Sequence, residues 1–381
     1  MSRMGSLRPT ILLFFEYATL NGGEFSLLAM LESLGQSEFS FVAAVPPSGP
    51  LNDRLKQRDI PTLPLTLRDS GGQKRPLAEI DAHLIDLIHR VSPDLVHANS
   101  LAMGRMVGRI APQLTPPCTA HLRDIVKLSR KALSDLNQNH GLIAVSQATK
   151  RYHSDQGVLP DKMQVIYNGV DEKAFRPFPD TGLLRQELGL DDKALLVCNI
   201  GQICLRKGQT LLAQAAVALA DVCPEANTLF IGERHSQKAE SIAYEKQIRL
   251  IFREAGIEDR LFCLGFRTDI PCILNEIDLL VHTAHQEPLG RVLLEAAFCG
   301  KAIVATEVGG TSEILSHDHS ALLVPPNDLN ALTASMVCML SDRELQKRLG
   351  ERARAKTQRT FSLAAAASNV RSFWRSFLSG R

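Results

Sequence analysis

Two glutamates separated by seven residues, Glu287 and Glu295, lie in the stretch EPLGRVLLEAAFCGKAIVAT (287–306). Pro288 biases Glu287 away from helical geometry, which places Glu287 in the loop after the apolar run DLLVHT (278–283). Pro288 and Leu289 lead into a first helical turn where Gly290 bares the backbone. The helix then runs to about Cys299 and stops at Gly300. A strand, a bare loop and a helix N-terminus with free N–H groups make a place for an anion. Arg291 sits where the helix dipole disfavours a cation, so a phosphate or carboxylate is expected beside it. Glu295, about one turn in, can accept hydrogen bonds from two vicinal hydroxyls, as on a ribose. The competing reading is two surface carboxylates on an ordinary helix.

Further glycine loops join this one. GQICLRKG (201–208) sets Arg206 and Lys207 between glycines before another helix, a basic turn that can neutralise a diphosphate. EVGGTSEIL (307–315) opens the next helix, with Thr311 as the expected N-cap. These loops follow strands of one sheet, so they can gather at the strands' carboxyl ends. In the first half, NGGEFSLL (21–28) places Gly22 and Gly23 after the first strand, as a close approach to a ligand or as a tight turn. His121, Arg123 and Asp124 in TAHLRDI sit just past a strand end, where a histidine is either a packed residue or a functional one.

The elements that must position these groups are legible as alternation. Short apolar runs, TILLFFE (10–16), FSFVAAV (39–45), DLVHA (94–98), CTAHL (118–122), GLIAV (141–145) and MQVIY (163–167), read as strands. Amphipathic segments separate them; over 77–91, Leu77, Ile80, Leu84, Leu87, Ile88 and Val91 fall on one helical face. Strand–helix alternation with continuously apolar strands marks an α/β protein whose parallel sheet is covered on both faces. The pattern breaks at DEKAFRPFPD (171–180), a linker, and restarts with ALLVCNI (194–200), TLFIG (228–232), LFCLGF (261–266), DLLVHT, KAIVAT (301–306) and SALLVP (320–325). The chain thus reads as two similar domains facing each other across a cleft, 1–175 and 176–358. A last helix within 359–381, carrying Phe361, Trp374 and Phe377, crosses back to the first.

Composition narrows the classes. A 381-residue chain, 45% hydrophobic and 22% charged, is an ordinary globular protein of more than one domain. Its net charge of +2 supplies no field for nucleic acid. Basic residues do gather in the first half, at Lys74, Arg75, Arg105, Arg109, Arg123, Lys127, Arg130, Lys131, Lys150 and Arg151. They read as a solvated face, or as a surface that meets anionic lipid or a phosphorylated acceptor. The eight cysteines form no Cys-x-x-Cys pair and fit a reducing compartment, the cytoplasm. ILLFF (11–15) is too short for a secretory signal and runs into Glu16, and no stretch is long enough to span a bilayer. No G-x-G-x-x-G follows a strand, which argues against a nicotinamide dehydrogenase; Gly300–Lys301 lacks the following Ser or Thr of a P-loop.

The run Glu287-Pro-Leu-Gly-Arg-Val-Leu-Leu-Glu295 resembles the E-x7-E signature of family 4 retaining glycosyltransferases of the GT-B fold. The loop from Gly201 to Gly208 is similar to that family's phosphate loop, GGTSEIL to its G-G-x-x-E segment, and VIYNGVD (165–171) to its entry into the donor domain. NGGEFSLL, HANSLAMG (97–104), TAHLRD and AVSQA (144–148) resemble its first-domain motifs. The resemblance implies two facing Rossmann-like domains and transfer of a sugar, with retention, from a UDP- or GDP-sugar to an acceptor, a cell-envelope lipid or polysaccharide. By the same likeness Glu295 holds the ribose and Lys207 the diphosphate. Glu287 and the backbone amides of Pro288, Leu289 and Gly290 hold the transferred sugar. Phe266 and Arg267 lie near the base, His121 beside the sugar ring, and Gly22–Gly23 close over the diphosphate. The family often has arginine where this chain has Gln202, so one diphosphate cation is missing unless Arg206 supplies it. No Asp-x-Asp is present, so neither a metal nor another cofactor is expected. The partners expected are the nucleotide sugar, the acceptor and, peripherally, the inner face of an anionic membrane, with no nucleic acid. Two alternatives stand beside this reading. A nucleotide-sugar 2-epimerase is disfavoured by the E-x7-E run, and a non-catalytic nucleotide-sugar-binding subunit is kept open by Gln202.

Overall fold

The computed structural model describes residues 8–35 and 37–378, which form two compact units. One runs to Gly169 and takes in the terminal helix Leu363–Leu378; the other is Val170–Ser362. The sequence reading set these divisions at 175/176 and 358/359.

The first unit is built on strands β1 (Thr10–Phe14), β2 (Ser40–Val45), β3 (Thr62–Pro64), β4 (Leu95–Ala98), β5 (Cys118–Leu122), β6 (Gly141–Ala144) and β7 (Met163–Val165). They form one parallel sheet in the order β3-β2-β1-β4-β5-β6-β7. Every residue of β4, β5 and β6 is buried, as a sheet covered on both faces requires. Along β1 the pleat divides the core. Ile11 and Leu13 pack with helix Gly22–Leu34 and the terminal helix, while Leu12 and Phe14 pack with helices Leu77–Val91 and Leu101–Ile110. The helix over 77–91 has the expected bounds and buries Ile80, Leu84, Leu87 and Ile88. Leu77, at its first turn, is 41% exposed. Ser92 ends it in the left-handed conformation, and Pro93 follows. Ser100 and Ser146 each cap a helix leaving a strand, accepting from Met103 N at 3.1 Å and Thr149 N at 2.9 Å. β3 was missed because it is short, largely exposed and ends on Pro64, the pattern of an edge strand.

The second unit carries β8 (Leu195–Ile200), β9 (Ala226–Ile231), β10 (Leu261–Gly265), β11 (Leu279–His282), β12 (Ile303–Thr306) and β13 (Leu322–Val324), parallel throughout in the order β10-β9-β8-β11-β12-β13. Each coincides with an apolar run of the sequence. Residues 171–180 have no helix or strand. They are pinned to the second unit, because the Asn275 side chain accepts from Phe178 N at 3.0 Å and donates to Arg176 O at 3.1 Å. The terminal helix buries Ala366, Ala367, Val370, Phe373 and Trp374 against the first unit's core. Phe361 lies before it, at the end of helix Arg343–Thr360. Among the described residues no helix is long and apolar enough to cross a membrane.

The register of helix 77–91 gives a direct test. Leu87→Ala should cost about 2–5 kcal/mol in urea unfolding, the range for a buried leucine. Leu77→Ala should stay within about 0.5 kcal/mol, as for a surface site.

Candidate active site

In the second unit a buried carboxylate organises the loops at the carboxyl ends of β8, β11 and β12. Glu287 is 6% exposed. Its Oε2 accepts from Lys207 Nζ at 2.5 Å and from His282 Nε2 at 2.9 Å. Arg206 Nη1 lies 4.0 Å from the same oxygen and donates to Gln286 O at 2.9 Å. Burial alone would push the Glu287 carboxyl up. The Lys207 ammonium, the His282 N–H and the more distant Arg206 outweigh burial and hold it well below the usual carboxylate range. For His282, burial and the neighbouring Lys207 charge push the imidazole down, past the opposing pull of Glu287. His282 is therefore neutral and donates through Nε2.

The glycines of these loops are required by backbone packed on backbone. Gly309 has φ +53°, and a Cβ there would lie 1.9 Å from Glu287 O. Gly310 N donates to that carbonyl at 2.9 Å. Gly208 has φ +62°, and a Cβ there would lie 2.2 Å from Thr283 O, while the Thr283 hydroxyl donates to Lys207 O at 3.1 Å. The loops 201–208, 283–290 and 307–310 thus lock one another. Thr311 is the first residue of its short helix rather than the N-cap. That place falls to Gly310, and the buried Thr311 hydroxyl finds no hydrogen-bond partner among the described residues.

Pro288, Leu289 and Gly290 are buried beneath the Gly309–Gly310 turn. Proline has no N–H, so Leu289 and Gly290 alone can offer backbone donors here, a correction to the expectation for 288–290. Helix Arg291–Phe298 begins after Gly290. Arg291 Nε donates to Glu295 Oε1 at 2.7 Å, which supplies the carboxylate anticipated beside Arg291. Burial raises the Glu295 carboxyl, and the Arg291 charge opposes that rise. Phe266 is 55% exposed beyond β10, a free aromatic face. Arg267 is held between Glu187 (2.5 Å) and Asp269 (2.7 Å). The structure therefore brings together Lys207, Glu287, Arg206 and the 288–290 loop. His282 belongs with them and was missed. Its signal is a histidine closing β11 five residues before Glu287.

In the first unit, helix Gly22–Leu34 opens at the glycine pair, and Glu24 Oε2 accepts from Asn21 N at 3.0 Å. Arg123 passes behind the turn: a Cβ on Gly23 would meet its Cδ at 2.9 Å. Its guanidinium donates to Asn99 Oδ1 and Asn168 Oδ1, each at 2.9 Å. His121, near the end of β5, is 1% exposed, and its Nδ1 lies 3.0 Å from Nε2 of His97 on β4. Asp124 is exposed, and its carbonyl takes His153 Nε2 at 2.8 Å. The basic residues of this unit divide. Arg109 turns to Asp81, with Nε 2.8 Å from Oδ2, and Lys150 Nζ donates to Met163 O at 2.7 Å. Lys74, Lys127, Arg130, Lys131 and Arg151 are exposed.

Two parallel-sheet Rossmann-like domains with this set of loops define the GT-B class of glycosyltransferases. The family model described as Glycosyl transferases group 1 matches residues 180–356, and that of Glycosyltransferase Family 4 matches 20–174. The chain belongs to the family 4 glycosyltransferases, enzymes that move a sugar from a nucleotide-sugar donor. It is 25% identical over 355 residues to the UDP-Gal:alpha-D-GlcNAc-diphosphoundecaprenol alpha-1,3-galactosyltransferase of Escherichia coli, covering 86% of each chain. It is 27% identical over 216 residues to the lipopolysaccharide core biosynthesis mannosyltransferase LpsB of Rhizobium meliloti, covering 56% of this chain and 61% of that one. Among solved structures, Anabaena Alr3699/HepE in complex with UDP-glucose superposes with a TM-score of 0.86 at 25% identity, over 97% of this chain and all of that one.

Lys207→Met leaves the Glu287 charge buried with its main partner gone, and should cost about 3–5 kcal/mol at neutral pH. The folded pKa of Glu287 is depressed, so its contribution is present above the unfolded carboxylate pKa and lost as pH falls. The stability gap between wild type and variant should therefore narrow towards acid in urea titrations. A gap that does not change with pH would show that Lys207 is not the partner of this carboxylate.

Proposed function

We propose that the protein transfers a hexosyl unit from a UDP-sugar to a lipid-linked or polysaccharide acceptor of the cell envelope, with retention at the anomeric carbon. The observation that carries this reading is the buried Glu287 carboxylate, held by Lys207 and His282 within locked glycine loops. UDP is supported by the likeness to the Anabaena protein crystallised with UDP-glucose and with UDP. An envelope acceptor is supported by the names of the Escherichia coli and Rhizobium relatives.

In this reading the bond between the anomeric carbon and the diphosphate breaks, and negative charge builds on the departing UDP. Lys207 meets that charge. Arg206, anchored on the Gln286 carbonyl, supplies the second cation that Gln202 does not, so no metal is needed for it. Glu287 stays ionised through the reaction. One of its oxygens is taken by Lys207 and His282; the other receives sugar hydroxyls and favours the positive character of an oxocarbenium-like state. Leu289 and Gly290 present amides to the same sugar, Glu295 takes the ribose hydroxyls, and Phe266 offers its ring to the base. The family likeness gives Gly22–Gly23 the diphosphate and His121 the sugar. The exposed Lys127, Arg130, Lys131 and Arg151 suit an anionic membrane surface at which such an acceptor is presented.

Glu295→Gln should weaken UDP binding by roughly 1.5–3 kcal/mol, the value of hydrogen bonds to a charged group, as read by calorimetry. Unchanged affinity would remove the ribose role. Exhaustive chelation should leave sugar transfer intact, while Arg206→Ala should lower kcat/KM by about 10²-fold, as for loss of one preorganised contact to developing charge. Loss of activity to a chelator, restored by a divalent cation, would contradict the cation assignment.

A further inference from the structure

The last helix of the chain reaches the imidazoles of the first unit. Trp374 is fully buried, stacked edge-on against Phe39, and its indole Nε1 lies 3.3 Å from His97 Nδ1. The same Nδ1 lies 2.9 Å from Thr119 Oγ1, whose hydroxyl also has Val96 O at 3.1 Å. The opposite nitrogen of His97 faces His121 Nδ1 at 3.0 Å, the two rings meeting at 88°.

Donor and acceptor rules fix the protons in this chain. An indole N–H can only donate, so His97 Nδ1 must accept. A neutral imidazole with a bare Nδ1 carries its proton on Nε2, and His97 therefore donates to His121 Nδ1. His121 Nδ1 is thereby an acceptor, and its own proton stands on Nε2. The Thr119 hydroxyl fits this arrangement, because it donates to Val96 O or shares the bare His97 Nδ1. Burial favours the neutral form of both rings, holding His97 at about 3 and His121 well down, with the Arg123 charge acting in the same direction.

We propose that Trp374, acting through His97, holds His121 with its proton on Nε2, so that His121 serves the reaction as a hydrogen-bond donor to a ligand oxygen and not as a base. The inference rests on the reading of His121 as a residue that touches the sugar nucleotide. The ligand atom it fits is an acceptor oxygen, on a sugar hydroxyl or on the diphosphate. An Nε2 that already holds a proton, on a ring whose Nδ1 is occupied by His97, has no site left to take one from an acceptor hydroxyl. His97 and Trp374 are positioning residues, and a helix that follows the completed second unit becomes part of the first unit's functional apparatus.

The arrangement has a built-in alternative, which makes it testable. Without the indole N–H, His97 Nδ1 can carry the proton and donate to Thr119 Oγ1. His97 Nε2 then accepts from His121 Nδ1–H, and His121 Nε2 is left bare. Trp374→Phe removes the N–H and keeps an aromatic ring in the core. The experiment is long-range ¹H–¹⁵N correlation on the full chain with ¹⁵N-labelled imidazoles, the His121 signals being assigned by their loss in His121→Gln. Wild type should show Nε2–H on both rings, and Trp374→Phe should move both towards Nδ1–H. Thr119→Val, which removes the alternative acceptor, should keep the wild-type pattern, and this variant decides the matter if Trp374→Phe does not fold. Wild-type His121 found as Nδ1–H or as imidazolium, or a flip in Thr119→Val, overturns the proposal. So does an unchanged pattern in Trp374→Phe. With UDP-glucose as donor, kcat of Trp374→Phe should fall about 10–100-fold, the scale for losing a partner that orients a functional imidazole. KM should stay within about twofold, as for an interaction felt mainly in the transition state. If wild type does not use UDP-glucose, the kinetic comparison moves to another UDP-hexose, and if no UDP-hexose is used the proposed donor class is wrong; the imidazole spectra decide this inference in either case.

Discussion

An ionised carboxylate taken out of water must be compensated where it sits, because its desolvation outweighs most single favourable contacts in a fold. Glu287 is such a group, and much of the second unit's loop structure follows from it. Lys207 must come from the turn after β8, and His282 must close β11 with its Nε2 turned inward. Gly309 must lack a side chain so that the next loop can lie on the Glu287 carbonyl. Each requirement fixes a different loop against the same point. The result is a charged centre in which cation and anion are paired at 2.5 Å within interlocked loops.

Burial does a second job in this protein. It keeps imidazoles neutral and so turns them into directed hydrogen-bond donors. His282 is neutral despite a carboxylate at 2.9 Å, because desolvation and Lys207 together outweigh that carboxylate. In the first unit His97 and His121 are neutral for the same reason, with Arg123 nearby in place of a lysine. Which nitrogen holds the proton is then decided by what the other nitrogen faces. For His97 that is the indole of a helix nearly three hundred residues further along the chain. The two units thus use one physical device, a desolvated ring with one side committed, on two different sheets.

Much of the architecture was legible in the sequence because strands buried on both faces cannot contain polar runs. LVHA, CTAHL and GLIA announce themselves against their amphipathic flanks. The edge strand at Thr62–Pro64 escaped because an exposed three-residue segment carries no such constraint. The E-x7-E run and the basic loop at 201–208 were readable because glycine, carboxylate and cation types stand at short spacing beside strand ends. Partnerships across strands were not readable. His282 meets Glu287 through a loop closure, and His97 meets His121 through the β4–β5 register, where His97 pairs with Thr119. The glycines were noticed for the space they leave a ligand, whereas Gly208 and Gly309 are required by other loops of the protein itself. Thr311 was misplaced by one residue because the helix it begins is a single short turn whose cap is Gly310.

Whether the loops around Glu287 form a nucleotide-sugar site is decided by a thermal-shift comparison of UDP and UDP-glucose with GDP, ADP, CDP and NAD. A ligand present at a hundred times its Kd adds about 2.7 kcal/mol to stability, enough to move the midpoint visibly. UDP and UDP-glucose should both raise the midpoint of the full chain, and NAD should not. A screen in which no nucleoside diphosphate shifts the midpoint, or in which NAD alone does, would contradict that assignment.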